Sequence, residues 1–303
     1  MILCIGEILA DMIGTEKDGS VFYERKAGGA PFNVACAAKK LGAKTAFVGC
    51  VGDDIIGDYL QAFAKNRGLD RVLIERDGKK NTTLAFVEID GSGERSFCFY
   101  RKNTADSFLP SVPAELFDGA DIVHIGSLML SEEEGRKYAI ATAKHAREKG
   151  KLVSFDVNFR TDIFRDEKTA IEIYKGMLEL ADIVKFSEDE VEIFGDGYIR
   201  GLKDKLVCIS LGGRGSEWRY KGNSGVVPSI KVSPVDTTGA GDAFYGGVLK
   251  GLDDVPVSEW TAEKLDGVFK FANVCGALNT LCRGAIDGLP DAATVEKMLV
   301  TIK

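Results

Sequence analysis

The chain has 303 residues, 45% of them hydrophobic, and a formal charge of −7. That length and apolar content suffice for a large core, while the acidic balance argues against a nucleic-acid partner and no apolar run approaches the roughly 18 residues of a membrane span. With only His124 and His145 present a histidine-rich metal site is excluded in practice, and seven scattered cysteines without a C-x-x-C pair or a leader segment point to buried thiols in a reducing cytoplasm.

The opening run MILCIG is a near-continuous apolar segment, as expected of a parallel strand covered on both faces. Glu7 and Asp11 interrupt the apolar pattern after it. A carboxylate just past the carboxyl end of a central strand stands where open α/β sheets bind ligands, which makes Asp11 a candidate. Residues 12–27 are mixed and turn-rich. AGGAPFNVACAAKKLGA then reads as a turn feeding a helix, with Pro31 in its first turn and Gly42 at its end. Gly28 and Gly29 let backbone approach a ligand, and Asn33 offers both donors and acceptors, either to a ligand or to the helix entry. TAFVGCVG is a second buried strand. DDIIGDYLQAFAKNRG is an amphipathic helix with Asp53 as its expected N-cap and Gly68 beyond its end. Strand, helix, strand, helix is the opening of a doubly wound, mostly parallel α/β sheet.

Residues 81–103 change character. NTTLAFVEIDGSGERSFCFYRKN alternates across Asp90-Gly91-Ser92-Gly93, a hairpin signal with no helix after either strand. Together with 12–27 it predicts a small separate sheet lying over a ligand cleft as a lid, from about 12–27 and 81–104. Exposed lid edges would be covered by pairing two lids in a homodimer. Arg101, after Phe99 and Tyr100, is a solvated lid charge or a ligand cation. From residue 120 the α/β alternation resumes. ADIVHIGSLML is a strand with His124 inside it as a core histidine. Ser131 to Glu134 has the form of a capping box, starting a helix that runs to about Gly150. In KLVSFDVNFR, the residues Asp156, Asn158 and Arg160 alternate and so leave a strand end on one face. ADIVKFSEDEVEIFG is a strand then a helix, with Ser187 and Glu190 in capping-box spacing. The strand KLVCIS ends in the Gly-rich turn of Gly213 and Gly215.

VSPVDTTGAGDAFYGG, residues 232–247, concentrates the chemistry. Val232 to Val235 reads as the end of a buried strand and Ala243 onward as a helix. The glycine turn between them leaves amides unpartnered at a helix N-terminus, an anion site of the kind that binds phosphate. Asp242 beside it is badly placed to bind an anion but well placed to take a proton from an attacking hydroxyl. Alone, the same turn also reads as a tight loop with Asp242 as its cap. A helix over about 262–282 carrying Asn273 and the loop CRGAIDGLP close the chain.

Two of these strings, AGGAPFNVA at 27–35 and DTTGAGDAF at 236–244, resemble the paired signatures of the ribokinase-like carbohydrate kinases, the PfkB family. The resemblance spans the whole chain, and FYR and the Ser at position 187 are most similar to fructokinase members. It implies a single ribokinase-like α/β domain over 1–303 with a β-lid, acting on a sugar and ATP. It implies Asp242 as general base, the amides of Gly239, Ala240 and Gly241 as an anion hole, and Arg160 as added positive charge. Asp11, Gly28, Gly29, Asn33, Arg101, Asp156 and Asn158 would meet the sugar, and Gly213, Gly215 and Asn273 the nucleotide. Glu190 would organise Mg²⁺ through water, at a position where the family commonly has N-x-x-E and this chain has Ser187 in place of the Asn. Asp236 and Thr238 would hold K⁺. Fructose is the first substrate, with 2-keto-3-deoxygluconate and then ribose as alternatives, and a sugar-binding regulator without catalysis as a different class. The chain has neither G-x-x-x-x-G-K-[ST] nor an early G-x-G-x-x-G, against a P-loop enzyme and a dinucleotide-binding dehydrogenase.

Overall fold

A computed structural model describes residues 1–89, 95–160, 163–164 and 166–301, and the side chains of all of these but 88, 89 and 95–97. The expected hairpin turn at Asp90-Gly91-Ser92-Gly93 lies outside the described residues. The chain builds two sheets. The larger has nine strands, in the order Asn223–Val227 (β13), Ser216–Tyr220 (β12), Leu206–Ser210 (β11), Ile183–Ser187 (β10), Leu152–Asp156 (β9), Ile122–Ile125 (β8), Ile2–Ile5 (β1), Thr45–Gly52 (β4) and Arg71–Asp77 (β5). All neighbours are parallel except at β11–β12 and β12–β13.

Why the sheet is covered on both sides can be read from β1. Ile2 and Cys4 point into one apolar core with the helices Ala30–Lys40 (α1), Ile55–Lys65 (α2), Ala240–Leu252 (α8) and Ala262–Asn279 (α9). Leu3 and Ile5 point into the other, against Ala114–Gly119 (α3), Glu133–Glu148 (α4), Glu167–Leu180 (α5), Glu188–Phe194 (α6) and Asp196–Arg200 (α7). Apolar residues at consecutive positions, not alternate ones, are what a doubly covered parallel strand requires. The chain runs outward from β1 through β4 to β5, then returns to β8 and continues outward the other way. The order therefore reverses between β1 and β8, and the crevice at the carboxyl ends of these strands is where such sheets hold ligands.

The second sheet has four strands, Ser20–Gly28 (β3), Leu9–Lys17 (β2), Leu84–Ile89 (β6) and Arg95–Tyr100 (β7), in that order. The turn-rich stretch expected at 12–27 is instead a long antiparallel hairpin with one tight turn at Asp18–Gly19. Both turn residues have positive φ, 54° and 72°, the geometry of the Asp-Gly turns that match strand twist. Toward that turn the hairpin is exposed on both faces, including Val21 and Phe22, each 59% exposed.

Three expected local features differ. Asp54, not Asp53, caps α2, because its carboxylate reaches the amides of Ile56 and Gly57. The capping box at Ser131 does not form; its hydroxyl donates to the Leu128 carbonyl and accepts from Arg101, and Glu132 precedes α4 without a side-chain cap. No strand forms at Val232–Val235. Pro234 has no donor for a ladder, Val235 is 60% exposed, and the amides of Val235 and Asp236 go to the Thr280 carbonyl at 2.8 and 3.0 Å. Among the described residues no helix is long and apolar enough to cross a membrane, and all seven cysteines are free. His124 is a core residue as expected, bonded to Ser154, with burial pushing its pKa down to about 3.

Candidate active site

The glycine turn at 236–242 is held from below by Asp236. One of its oxygens accepts from the Thr238 amide at 2.7 Å, the other from the Gly284 amide at 2.9 Å, so the turn is locked to the loop after α9. Gly239 has φ 72°, and a Cβ there would lie 2.6 Å from the Ala285 backbone, so glycine is required on both counts. It is the N-cap of α8, which begins at Ala240, three residues earlier than the sequence pattern suggested. Asp242 therefore stands inside the first helical turn. The Ala240 amide donates to the Thr237 carbonyl at 3.2 Å, a correction to its expected part in the anion hole. The amides of Gly239, Gly241 and Asp242 have no backbone acceptor among the described residues.

Asp242 is half-buried at the floor of a cavity of about 400 Å³. Burial pushes its pKa up to about 6, Asp156 adds to the rise, and a hydrogen bond from Asn33 with the charges of Lys185 and Arg160 oppose it. The Asn33 amide reaches its Oδ2 at 2.8 Å from the first turn of α1. That helix entry depends on Gly29, whose φ is 111° and where a Cβ would fall 2.4 Å from the Glu7 carbonyl.

The structure brings most of the expected residues to this one cavity: Asp11, Gly29, Asn33, Asp156, Asn158, Arg160, Gly239, Gly241 and Asp242 line it. Asp11 arrives by a different route than expected. It lies within β2, opposite Lys26 in the second sheet, not in a loop after β1. A Cβ on Gly28 would strike its carboxylate. Asn158 has φ 38°, unusual for a non-glycine residue and typical of strained ligand sites. Leu9, Phe99 and Leu128 make the apolar side.

Lys185 is a wall residue that sequence reasoning missed. It sits in β10, is buried, and its Nζ donates to both oxygens of Asp156 at 3.0 and 2.9 Å. A Cβ on Gly241 would lie 3.5 Å from that Nζ, so the ammonium adjoins the glycine turn. Burial disfavours its charge, but Asp156, Glu190 and Asp242 outweigh this and hold it above the usual lysine range. A lysine in the middle of the apolar strand ADIVKFS was the available signal, since buried lysines are rarely left unpaired.

Two expected residues stand elsewhere. Arg101 is buried at the base of the second sheet and lines a different cavity. Its Nε donates to Asp106 at 2.7 Å, and its other nitrogens to Ser131 and Ser107 at 2.6 and 3.1 Å. Glu190 is buried, and its two oxygens accept from the amides of Phe159 and Ser187 at 2.6 and 2.7 Å. The expected capping box with Ser187 is formed. Glu190 thus pins the loop that carries Asn158 and Arg160. Its oxygens are engaged and Lys185 is nearby, so it is a poor direct ligand for a cation.

A second cavity, about 500 Å³, lies across the glycine turn and is lined by Gly213, Gly215, Asn273, Val232, Pro234 and Phe244 among others. The Asn273 side chain donates to the Val227 carbonyl at 2.8 Å, so it shapes this wall. The two cavities share Thr237 and Gly241. One chamber presents carboxylates, amides and two carboxamides to a small polar molecule. The other is mostly apolar, with a glycine-rich edge. An unpartnered helix N-terminus stands between them.

Residues 1–292 match the model of the pfkB family carbohydrate kinases. Fructokinase-1 of Oryza sativa subsp. japonica is 36% identical, over 99% of this chain and 97% of that protein. A fructokinase from Xylella fastidiosa solved with bound ATP superposes with TM-score 0.93 at 30% identity, covering 99% of this chain and 98% of that one. A fructokinase from Vibrio cholerae O395 with fructose, ADP and a calcium ion gives 0.88 at 32% identity, with 98% of each chain covered.

Proposed function

This chain belongs to the pfkB family of carbohydrate kinases, and on that premise we propose that it is an ATP-dependent fructokinase, converting D-fructose and ATP to D-fructose 6-phosphate and ADP. The observation that carries the reading is the meeting of a sugar-sized cavity and a nucleotide-sized one at Thr237 and Gly241, directly beside Asp242. Asp11, Asn33, Asp156 and Asn158 give the sugar side its hydrogen-bonding groups, while Leu9 and Phe99 suit an apolar ring face. Asp242, ionised above about 6, takes the proton of the attacking hydroxyl. That oxygen forms a bond to the γ-phosphorus as the bond to the β,γ-bridging oxygen breaks, and the electron pair leaves with ADP. The Gly241 and Asp242 amides and the α8 N-terminus meet the charge on the transferred group, with Lys185 and Arg160 beside them. Mg²⁺ enters with the nucleotide as part of the substrate. The second sheet serves as the lid that keeps water from competing with the sugar.

The charge pattern favours a neutral sugar over 2-keto-3-deoxygluconate. Lys185 and Arg160 both act on Asp242 and so belong to the reacting end, and Arg101, the cation that would take a substrate carboxylate, is committed to Asp106. Two buried oxygens without partners, Thr238 Oγ1 and Asn279 Oδ1, support a K⁺ site between the turn and the α9 end, where the Asn279 amide bonds the Thr238 carbonyl at 3.2 Å. Asp236 would steady that site from the turn, and the ion would hold the turn's amides in place. The aromatic row of Tyr23, Phe86 and Tyr100, in ring contact across the second sheet and exposed at both ends, supports a homodimer through the lids. A light-scattering mass of one chain at micromolar concentration would count against it. A chain with seven free cysteines suits the cytoplasm.

ADP release from Mg-ATP with fructose, 2-keto-3-deoxygluconate, ribose and glucose tests the reading. Fructose is expected to give the highest kcat/KM. Activity on the keto-deoxy acid alone would move the specificity, and silence on every sugar with ATP bound would favour a regulator.

A further inference from the structure

Helices α1 and α8 touch backbone to backbone: a Cβ on Gly246 would lie 2.6 Å from the Ala37 Cβ and 3.2 Å from the Val34 carbonyl. This contact aims both N-termini at one point, where the Asn33 Nδ2 meets the Asp242 Oδ2 at 2.8 Å. Asn33 is 5% exposed, and its Oδ1 has no partner among the described residues. An ionised carboxylate accepts only, so the carboxamide must turn its donor end to Asp242 and its oxygen the other way. A buried amide oxygen without a donor is costly unless a ligand hydroxyl supplies one. Asn33 is the one residue of α1 whose side chain reaches from the cavity wall to the carboxylate.

We infer that Asn33 is the positioning residue of the base: it fixes the Asp242 carboxylate through Oδ2, leaves Oδ1 to receive the substrate proton, and offers its own Oδ1 to a second hydroxyl of the same sugar. The proposal rests on the kinase reading of the site and goes beyond it by assigning how the base is aimed and kept ionised. The groups that face Asp242 from the packed elements are Asp156, Lys185, Arg160 and Glu7. Burial raises its pKa most, Asp156 and Glu7 add to the rise, and the Asn33 hydrogen bond opposes it together with Lys185 and Arg160.

Asp242 is titrated directly in the substrate-free protein by carbon-13 NMR of its carboxyl, assigned with Asp242→Asn. Asn33→Ala is expected to raise the midpoint by about one pH unit or more, and Asn33→Asp by more, since adjacent carboxylates cannot both ionise cheaply. The acid limb of kcat/KM for fructose should rise in parallel, and kcat should fall on the order of 10–100-fold. Asn33→Ser, which restores a short donor, should recover part of both. An unmoved titration and acid limb with only the fructose KM raised would overturn the proposal and leave Asn33 as a sugar contact. A wild type that phosphorylates no sugar would defeat the kinase reading instead, while the carboxyl titration would still decide the role of Asn33.

Discussion

Two buried ion pairs, Lys185–Asp156 and Arg101–Asp106, look alike in a contact map and do different work. Both are almost sealed, with side-chain exposures of 7% and 4% in one and 2% and 1% in the other. Arg101 spends its guanidinium on protein: Asp106, Ser107 and Ser131 take it, and Asp106 also accepts from Thr83 and Thr104 at 2.6 and 2.7 Å. The network clamps the segments that enter β6 and leave β7. Lys185 has one acidic partner and a ligand cavity on its other side. The Arg101 pair is saturated by protein groups, whereas the Lys185 pair adjoins the glycine turn in the cavity that holds Asp242.

Breaking the first pair should cost the most in stability. Arg101→Met leaves Asp106 buried without its counter-charge and is expected to lose about 3–5 kcal/mol in chemical denaturation, while the fructose KM of the folded fraction stays near wild type. A large rise in that KM with little loss of stability would put Arg101 in the sugar site after all. For the second pair, Lys185→Met should lower kcat by about 10²–10³-fold, the usual worth of one electrostatic contact to a transferring group, measured per folded molecule. Equal stability losses in both variants with no change in kcat would erase the contrast.

Glu7 extends the comparison to a carboxyl with no partner. It is fully buried, neither oxygen has a partner from another residue among the described residues, and burial pushes its pKa up to about 7. The unfolded chain releases this proton near the ordinary glutamate value, so between there and about 7 the folded state holds more protons and stability falls as pH rises. Glu7→Gln should therefore stabilise the protein above pH 7 by on the order of 3 kcal/mol and change little at pH 4. An unchanged stability slope across that window would mean that Glu7 has found a partner. The smallest effect belongs to an exposed pair, Lys26–Asp287, at 3.0 Å between the second sheet and the loop after α9. Lys26→Ala should cost less than about 1 kcal/mol, and less still in high salt.

The legible parts of the site were those written contiguously. DTTGAGDAF holds the turn, the helix start and Asp242 within one string, and D-x-N-x-R names three cavity residues, although only Asp156 lies in the strand and Asn158 and Arg160 follow in the loop after it. The doubly covered sheet was legible because its central strands, Ile2–Ile5 and Thr45–Gly52, are nearly continuous apolar runs. Lys185 was not, because its partner Asp156 is 29 residues away and only the β9–β10 pairing brings them together. The strand expected at Val232–Val235 failed for a related reason: the amides of Val235 and of the next residue, Asp236, are claimed by Thr280, far along the chain. Arg101 and Ser131 misled together, since each reads locally as a ligand cation and a helix cap, and each is used up by the other.

The central claim is that Asp242 is the base of a fructokinase. The direct measurement is the pH dependence of fructose-driven ADP release from Mg-ATP by wild type and Asp242→Asn. Wild-type kcat/KM should fall below pH about 6 as the carboxylate is protonated, and Asp242→Asn should lose about 10²–10⁴-fold in kcat with ATP binding intact. An Asp242→Asn protein that turns over fructose at the wild-type rate would contradict it.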